Sequence, residues 1–192
     1  MNGTVEEIRL HGMGGQGVVA AGELIAIAAS RENKFCRAFP MYGSARRGAP
    51  VLAFAQIGHE SEATRSMIYH PNYLLILDPL MAESMDLMGG LKEGGVILFN
   101  SEKSADEAKG LFNVRLSKLG VVDAMGIAER VLGRPIPNTA ILGALSKVTG
   151  VLKLESVNWA IRRRFADRLA EVNIEAAKEG HDSVDVMAFE VS

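Results

Sequence analysis

Gly12, Gly14 and Gly17 fall at the spacing G-x-G-x-x-G, with Gly15 and Gln16 completing the turn. In such a turn the first glycine permits the tight reversal, and the second lets a ligand or another backbone approach closely. A positive φ is expected at Gly14. A helix opening behind the turn offers unpaired N–H groups and the positive end of its dipole, which suit an anion. A dinucleotide site also wants an acidic residue about 20 positions further on, at the end of the second strand. Here that strand ends Arg37-Ala38-Phe39-Pro40, and Glu32 lies before it, on the wrong side. A P-loop is excluded because no Gly-Lys-Ser/Thr follows the turn. Two readings stay open: a site for an anion or a cofactor phosphate, and a turn that packs strand against helix or against a partner.

Arg46 and Arg47 are the next residues that could do chemistry, since each offers a planar fork of donors to phosphate or carboxylate. An interface salt bridge or a solvated loop explains them equally well. Tyr42, in the same loop, suits a subunit contact. His11 abuts the glycine turn and reads as a structural hydrogen bonder. Asp78 and Asp123 end apolar strands, where open α/β sheets place ligands, although helix capping accounts for both. Asn138 reads as a helix cap, and Cys36 as a buried, inert thiol. Arg162, Arg163 and Arg164 are expected to reach into solvent.

These residues need elements to hold them. Glu7 to His11 alternates like a short strand, runs into the turn, and continues into Val18 to Ser30, a helix apolar nearly all round and so covered on both faces. Further strands are expected at Phe35 to Phe39, Val51 to Ile57, Tyr73 to Leu77, Gly95 to Asn100 and around Val121 and Val122. Met41 to Pro50 reads as a loop. Helices are expected at Met81 to Leu91, Ser104 to Gly110 and Ala140 to Val148, the last capped by Asn138 or Thr139 and closed by Gly150. A long helix from Glu155 to Lys178 would bury Val157, Ile161, Phe165, Leu169, Val172 and Ala176. The fold class is α/β, a single doubly wound Rossmann-like domain over 1–192 with a mostly parallel sheet and C-terminal helices.

Composition narrows the function. Over 192 residues, 21 basic and 23 acidic groups leave a formal charge of −2, with no basic tract, so no nucleic-acid partner is expected. No stretch reaches the roughly 18 apolar residues of a membrane span, and the start, with Glu6, Glu7 and Arg9, does not resemble a signal peptide, so no membrane and a cytoplasmic location are expected. Cys36 is the sole cysteine. It can close no intrachain disulfide and cannot supply the four thiolates of a cubane cluster.

Four stretches together resemble a family. They are Gly12-Met13-Gly14-Gly15-Gln16-Gly17; Phe39-Pro40-Met41-Tyr42-Gly43-Ser44-Ala45-Arg46-Arg47-Gly48-Ala49-Pro50; Val122-Asp123-Ala124 with Ile127-Ala128; and Pro137-Asn138-Thr139 with Leu142-Gly143-Ala144. In this order and spacing they are similar to the gamma subunits of pyruvate and related 2-oxoacid:ferredoxin oxidoreductases. One position departs: the family usually has a Glu before the Arg of the second stretch, and here that residue is Ala45.

The resemblance implies a subunit without a catalytic centre of its own. The enzyme would decarboxylate a 2-oxoacid oxidatively on thiamine diphosphate and Mg, and send electrons through iron–sulfur clusters to ferredoxin. It would hand the acyl group to coenzyme A. Alpha, beta and delta-type subunits would carry the cofactors. This chain has no Gly-Asp-Gly with a downstream Asn for a diphosphate-bound magnesium, and no cysteine set. Coenzyme A is the ligand expected at Gly12, Gly14, Gly15, Gln16 and Gly17, with Arg46 and Arg47 as further anion contacts. The competing expectations are a subunit of an indolepyruvate- or phenylglyoxylate-type oxidoreductase and a stand-alone Rossmann nucleotide-binding protein.

Overall fold

A computed structural model describes residues 5–41, 49–58, 67–84 and 86–190. In chain order its elements are β1 (Glu6–Met13), α1 (Val18–Arg31), β2 (Phe35–Met41), β3 (Pro50–Gly58), β4 (Tyr73–Ile76), α2 (Pro79–Ser84) and β5 (Gly95–Asn100). There follow α3 (Ala105–Ala108) with a 3-10 turn at Lys109–Leu111, β6 (Leu116–Val122), α4 (Ala124–Leu132), α5 (Asn138–Thr149), α6 (Leu154–Arg164), α7 (Asp167–Ser183) and β7 (Asp185–Ala188). Tyr42, Ala45, Arg46 and Arg47 lie outside the described residues.

The strands form one sheet in the order β2-β3-β1-β4-β5-β6-β7. β1, β4, β5 and β6 pair in parallel, and β3 lies antiparallel between β1 and β2. Five strands therefore point one way, with β3 and β7 against them. The expectation of an α/β fold with a mostly parallel sheet holds. Parallel strands covered on both faces read as continuous apolar runs, and all six residues of β5 are buried. Alternate residues serve different layers. Leu75, Leu77, Val96 and Leu98 face a cluster under α1 and α4 to α7, while Leu74, Ile76, Ile97 and Phe99 face a second under α2 and α3. The second is braced by Phe99 and Phe112, edge to face at 5.3 Å. Each Leu or Ile so buried contributes about 1.5–3 kcal/mol.

The expected cover on both faces of α1 is real. Ala21, Leu24, Ile25, Ala28 and Ala29 are buried, with β2 and β3 on one side and α6 on the other.

Several expectations are corrected. The helix expected from Met81 to Leu91 stops at Ser84, and Gly89 and Gly90 turn the chain, Gly90 at φ +81°. The long helix expected from Glu155 to Lys178 is two. Phe165 and Ala166 are extended, and Asp167 sits at φ +41°. Behind the break the buried face of α7 is Ala170, Asn173, Ile174, Ala176, Ala177 and Gly180, and Leu169 is 53% exposed. Small residues, not the periodic large ones, set its phase, because α7 packs backbone-close on α5. α5 begins at Asn138 without a side-chain cap, so neither Asn138 nor Thr139 precedes it as expected. β7 had no signal strong enough to be read.

Candidate functional site

β1 delivers the glycine turn to the end of the sheet where β4, β5 and β6 also terminate, the place where open α/β sheets hold ligands. The Gln16 N–H donates to the Met13 carbonyl (3.1 Å), closing the turn, and the Gly17 carbonyl accepts the first helical bond of α1 from Ala21 (2.9 Å). Positive φ falls at Gly15 (+107°) and Gly17 (+78°), not at Gly14. A backbone does approach Gly14, and it belongs to this chain: the Gly14 N–H donates to the Ala49 carbonyl at 2.9 Å.

The other glycines are explained the same way. A Cβ on Gly12 would lie 2.6 Å from Val18 Cγ2 and 2.9 Å from Gln16 Oε1. On Gly17 it would lie 2.5 Å from Asn138 Nδ2. The Gln16 amide spends both ends internally: Oε1 accepts from the Met13 N–H and Nε2 donates to Asp78 Oδ2, each at 2.7 Å. Gln16 is thus a strut between the turn and the β4–α2 corner. Gly15 is open, exposed and with nothing within 4 Å of its missing Cβ. Behind it α1 has no side-chain N-cap and no acidic residue in its first turn. Its first N–H groups have no side-chain acceptor among the described residues, and its dipole end suits an anion.

The neighbouring polar residues hold the rim together. Asp78 Oδ1 accepts from the Leu80 N–H (3.0 Å) and Asp123 Oδ1 from the Gly126 N–H (2.8 Å), so capping is the role seen for both. Asn138 Nδ2 makes a long bond to the Gly17 carbonyl, 3.4 Å. Asn100, only 1% exposed, was not singled out from the sequence. Its Nδ2 donates to the Leu77 carbonyl (2.8 Å) and its Oδ1 accepts from the Met125 N–H (3.0 Å), stitching the ends of β4 and β5 to the start of α4. Its signal was a polar residue closing the all-apolar run of β5.

His11 and Cys36 are chemically quiet. Burial, then the charge of Arg9, pushes the His11 imidazole down to about 3. The Arg9 Nε–H donates to His11 Nε2 at 3.0 Å. Burial pushes the Cys36 thiol up to about 12, so it carries almost no thiolate near neutrality. Among the described residues no group of His, Cys, Asp and Glu is placed to hold a metal ion.

A measurable contrast follows. Gly17→Ala must accommodate both a positive φ and Asn138, which together should lower the unfolding free energy by roughly 2–5 kcal/mol. Gly15→Ala meets only the φ term and should lose about 1–2 kcal/mol. Urea denaturation of the two variants checks this; equal losses would mean that Asn138 does not fill the space at Gly17.

The chain as a whole has close relatives. Residues 7–183 match the model of the pyruvate ferredoxin/flavodoxin oxidoreductase family. It is 46% identical over 180 residues to the pyruvate/ketoisovalerate oxidoreductases common subunit gamma of Thermococcus kodakarensis, covering 94% of this chain and 97% of that one. To the pyruvate synthase subunit PorC of Methanothermobacter marburgensis it is 41% identical over 178 residues, covering 93% and 97%. The crystal structure of pyruvate oxidoreductase subunit PORC from Thermotoga maritima superposes with a TM-score of 0.84 at 35% identity, covering 96% and 99%. A glycine turn between a strand and a helix is common to many folds, but a match of this length at this identity is not: the chain belongs to the pyruvate ferredoxin/flavodoxin oxidoreductase family, beside its gamma-type subunits.

Proposed function

We propose that this chain is the gamma-type subunit of a multisubunit 2-oxoacid:ferredoxin oxidoreductase that converts a 2-oxoacid, pyruvate foremost, to its acyl-coenzyme A, and that it acts as one domain. The observation that carries this is the 46% identity to a gamma subunit across 94% of the chain. That relative is named as common to pyruvate and ketoisovalerate oxidoreductases, which supports placing the choice of oxoacid on other subunits. The relatives described above are each named as subunits, and this favours assembly over the stand-alone nucleotide-binding reading.

Thiamine diphosphate, Mg and the iron–sulfur clusters belong, in this proposal, to partner subunits. The residues here do not fit them: the lone Cys36 is a half-buried thiol inside a strand. No step of the reaction is therefore assigned to this chain. Its share is to present the glycine turn. Coenzyme A, an anion through its phosphates, would meet Gly15 and the open N-terminus of α1, with Gly12, Gly14, Gln16 and Gly17 holding that geometry from behind. Arg46 and Arg47 are proposed as further contacts to the same anion or to a partner's carboxylate.

Reconstitution tests the proposal. The purified chain alone should be colourless and give no coenzyme A-dependent reduction of a viologen dye with pyruvate. Combined with the remaining subunits of its complex it should restore that activity. A complex fully active and fully assembled without this chain, or activity from the chain alone, would overturn the proposal.

A further inference from the structure

Away from the glycine turn, α1 and α6 pack side by side and carry a cluster that the proposed function does not use. Trp159, the only tryptophan in the chain, is partly buried on α6. The guanidinium carbons of Arg31, the last residue of α1, and Arg163, in the last turn of α6, lie 5.3 Å and 5.4 Å from the centre of its ring. Arg162, Arg163 and Arg164 are exposed, as expected, and at the surface Arg162 pairs with Glu171 (3.0 Å) and Arg164 with Glu23 (3.1 Å). Glu32, beside Arg31, is engaged by Lys34 at 2.8 Å and by the Lys153 N–H at 2.7 Å. Glu171, Glu23 and Glu32 are therefore committed. Arg31 and Arg163, both exposed, have no carboxylate partner among the described residues.

The corner thus holds two positive charges with no ion-pair partner among the described residues, in a chain whose net charge is −2. Stacking on an indole restricts both side chains in advance, which lowers the entropy lost when they bind something. Arg presents its donors as a rigid fork that matches a carboxylate bidentately. With guanidinium groups already over the ring, the corner offers a visitor charge and N–H donors more than an open aromatic face. Trp and Arg are also the residues that most often carry the energy of protein interfaces.

We propose that the Arg31–Trp159–Arg163 corner of α1 and α6 docks an acidic surface of another subunit in the same oxidoreductase assembly. This rests on the multisubunit reading above. The test uses the full chain titrated into the remaining subunits of its complex, with association read by analytical ultracentrifugation at low and at high salt. The double variant Arg31→Glu/Arg163→Glu should bind at least about tenfold more weakly than wild type, and wild-type affinity should fall with salt. Arg162→Glu, which breaks only an intrachain surface pair, should change affinity by no more than about threefold. Arg31→Lys/Arg163→Lys keeps the charge, loses the fork, and should fall between. Each variant's thermal unfolding midpoint shows whether the fold itself is intact, and the lysine pair answers the question if the glutamate pair proves unstable. Unchanged affinity in folded charge-reversed protein, or wild-type binding indifferent to salt, would overturn the docking surface and leave the proposed function standing. Failure of the wild-type chain to associate at all would take down the proposed function, and this corner with it.

Discussion

Gly143→Ala should cost on the order of 3–6 kcal/mol of stability, from forced separation of two helices and loss of a buried hydrogen bond between them. A Cβ built on Gly143 of α5 would overlap the carbonyl of Ala177 on α7, and one on Gly180 of α7 would overlap the carbonyl of Ala140 on α5. The obstruction is backbone on both sides, so no rotamer change relieves it. Moving α7 outward would also break the buried bond from Thr139 Oγ1 to Asn173 Oδ1, 3.1 Å long. Domains commonly have only about 5–15 kcal/mol in total, so a partly unfolded or insoluble protein is the expected result. Gly110→Ala is the control. Nothing lies within 4 Å of its missing Cβ, its φ is not positive, and it should change stability by less than about 0.5 kcal/mol. Guanidinium denaturation followed by circular dichroism compares the two, and matched midpoints would show that α5 and α7 do not pack as described.

Acid should weaken the protein through His11. Its folded-state pKa is near 3, against 6.5 when exposed to water, so the unfolded chain takes up the proton first as the pH falls. The stability tied to the neutral ring is therefore complete above about pH 6.5 and is lost on descending toward about pH 3, at roughly 1.4 kcal/mol per unit. Between pH 7 and pH 5 the loss from this residue alone should be about 2 kcal/mol. Burial is the main cause, since the ring is only 6% exposed, and Arg9 donates to it at 3.0 Å. Urea denaturation at both pH values, in wild type and in His11→Gln, isolates the term. The variant should lose about 2 kcal/mol less over that interval. Parallel pH profiles would mean that His11 is protonated in the folded state.

Much of the frame was legible from local pattern. The apolar runs Tyr73–Ile76 and Gly95–Asn100 announce buried parallel strands because burial on both faces removes alternation. Gly12 to Gly17 announces a strand-to-helix turn because glycine adopts the positive φ seen at Gly15 and Gly17 without steric cost. Of the four stretches that marked the family, the first touches the second through the Gly14 N–H and the Ala49 carbonyl, and the fourth through Gly17 and Asn138. Asn138 fills the gap at Gly17, and Gly143 admits α7. The sequence showed that these residues go together without showing why.

What it could not show was direction, phase and ownership. A run such as Val51–Ile57 has the same composition whether it pairs parallel or antiparallel, and only pairing with β1 and β2 set β3 against the sheet. The periodic large residues from Val157 to Ala176 suggested one helix, but tight contact with α5 favoured a face of Ala and Gly and turned Leu169 outward. At the glycine turn, absent side chains left room that a ligand or the protein itself could fill. The groups that fill it are Gln16 and Val18 at Gly12 and Asn138 at Gly17, the last of these 121 residues distant along the chain. Contacts of that range are absent from any local pattern, because strand and helix propensities record neighbours in sequence and close packing is decided by neighbours in space.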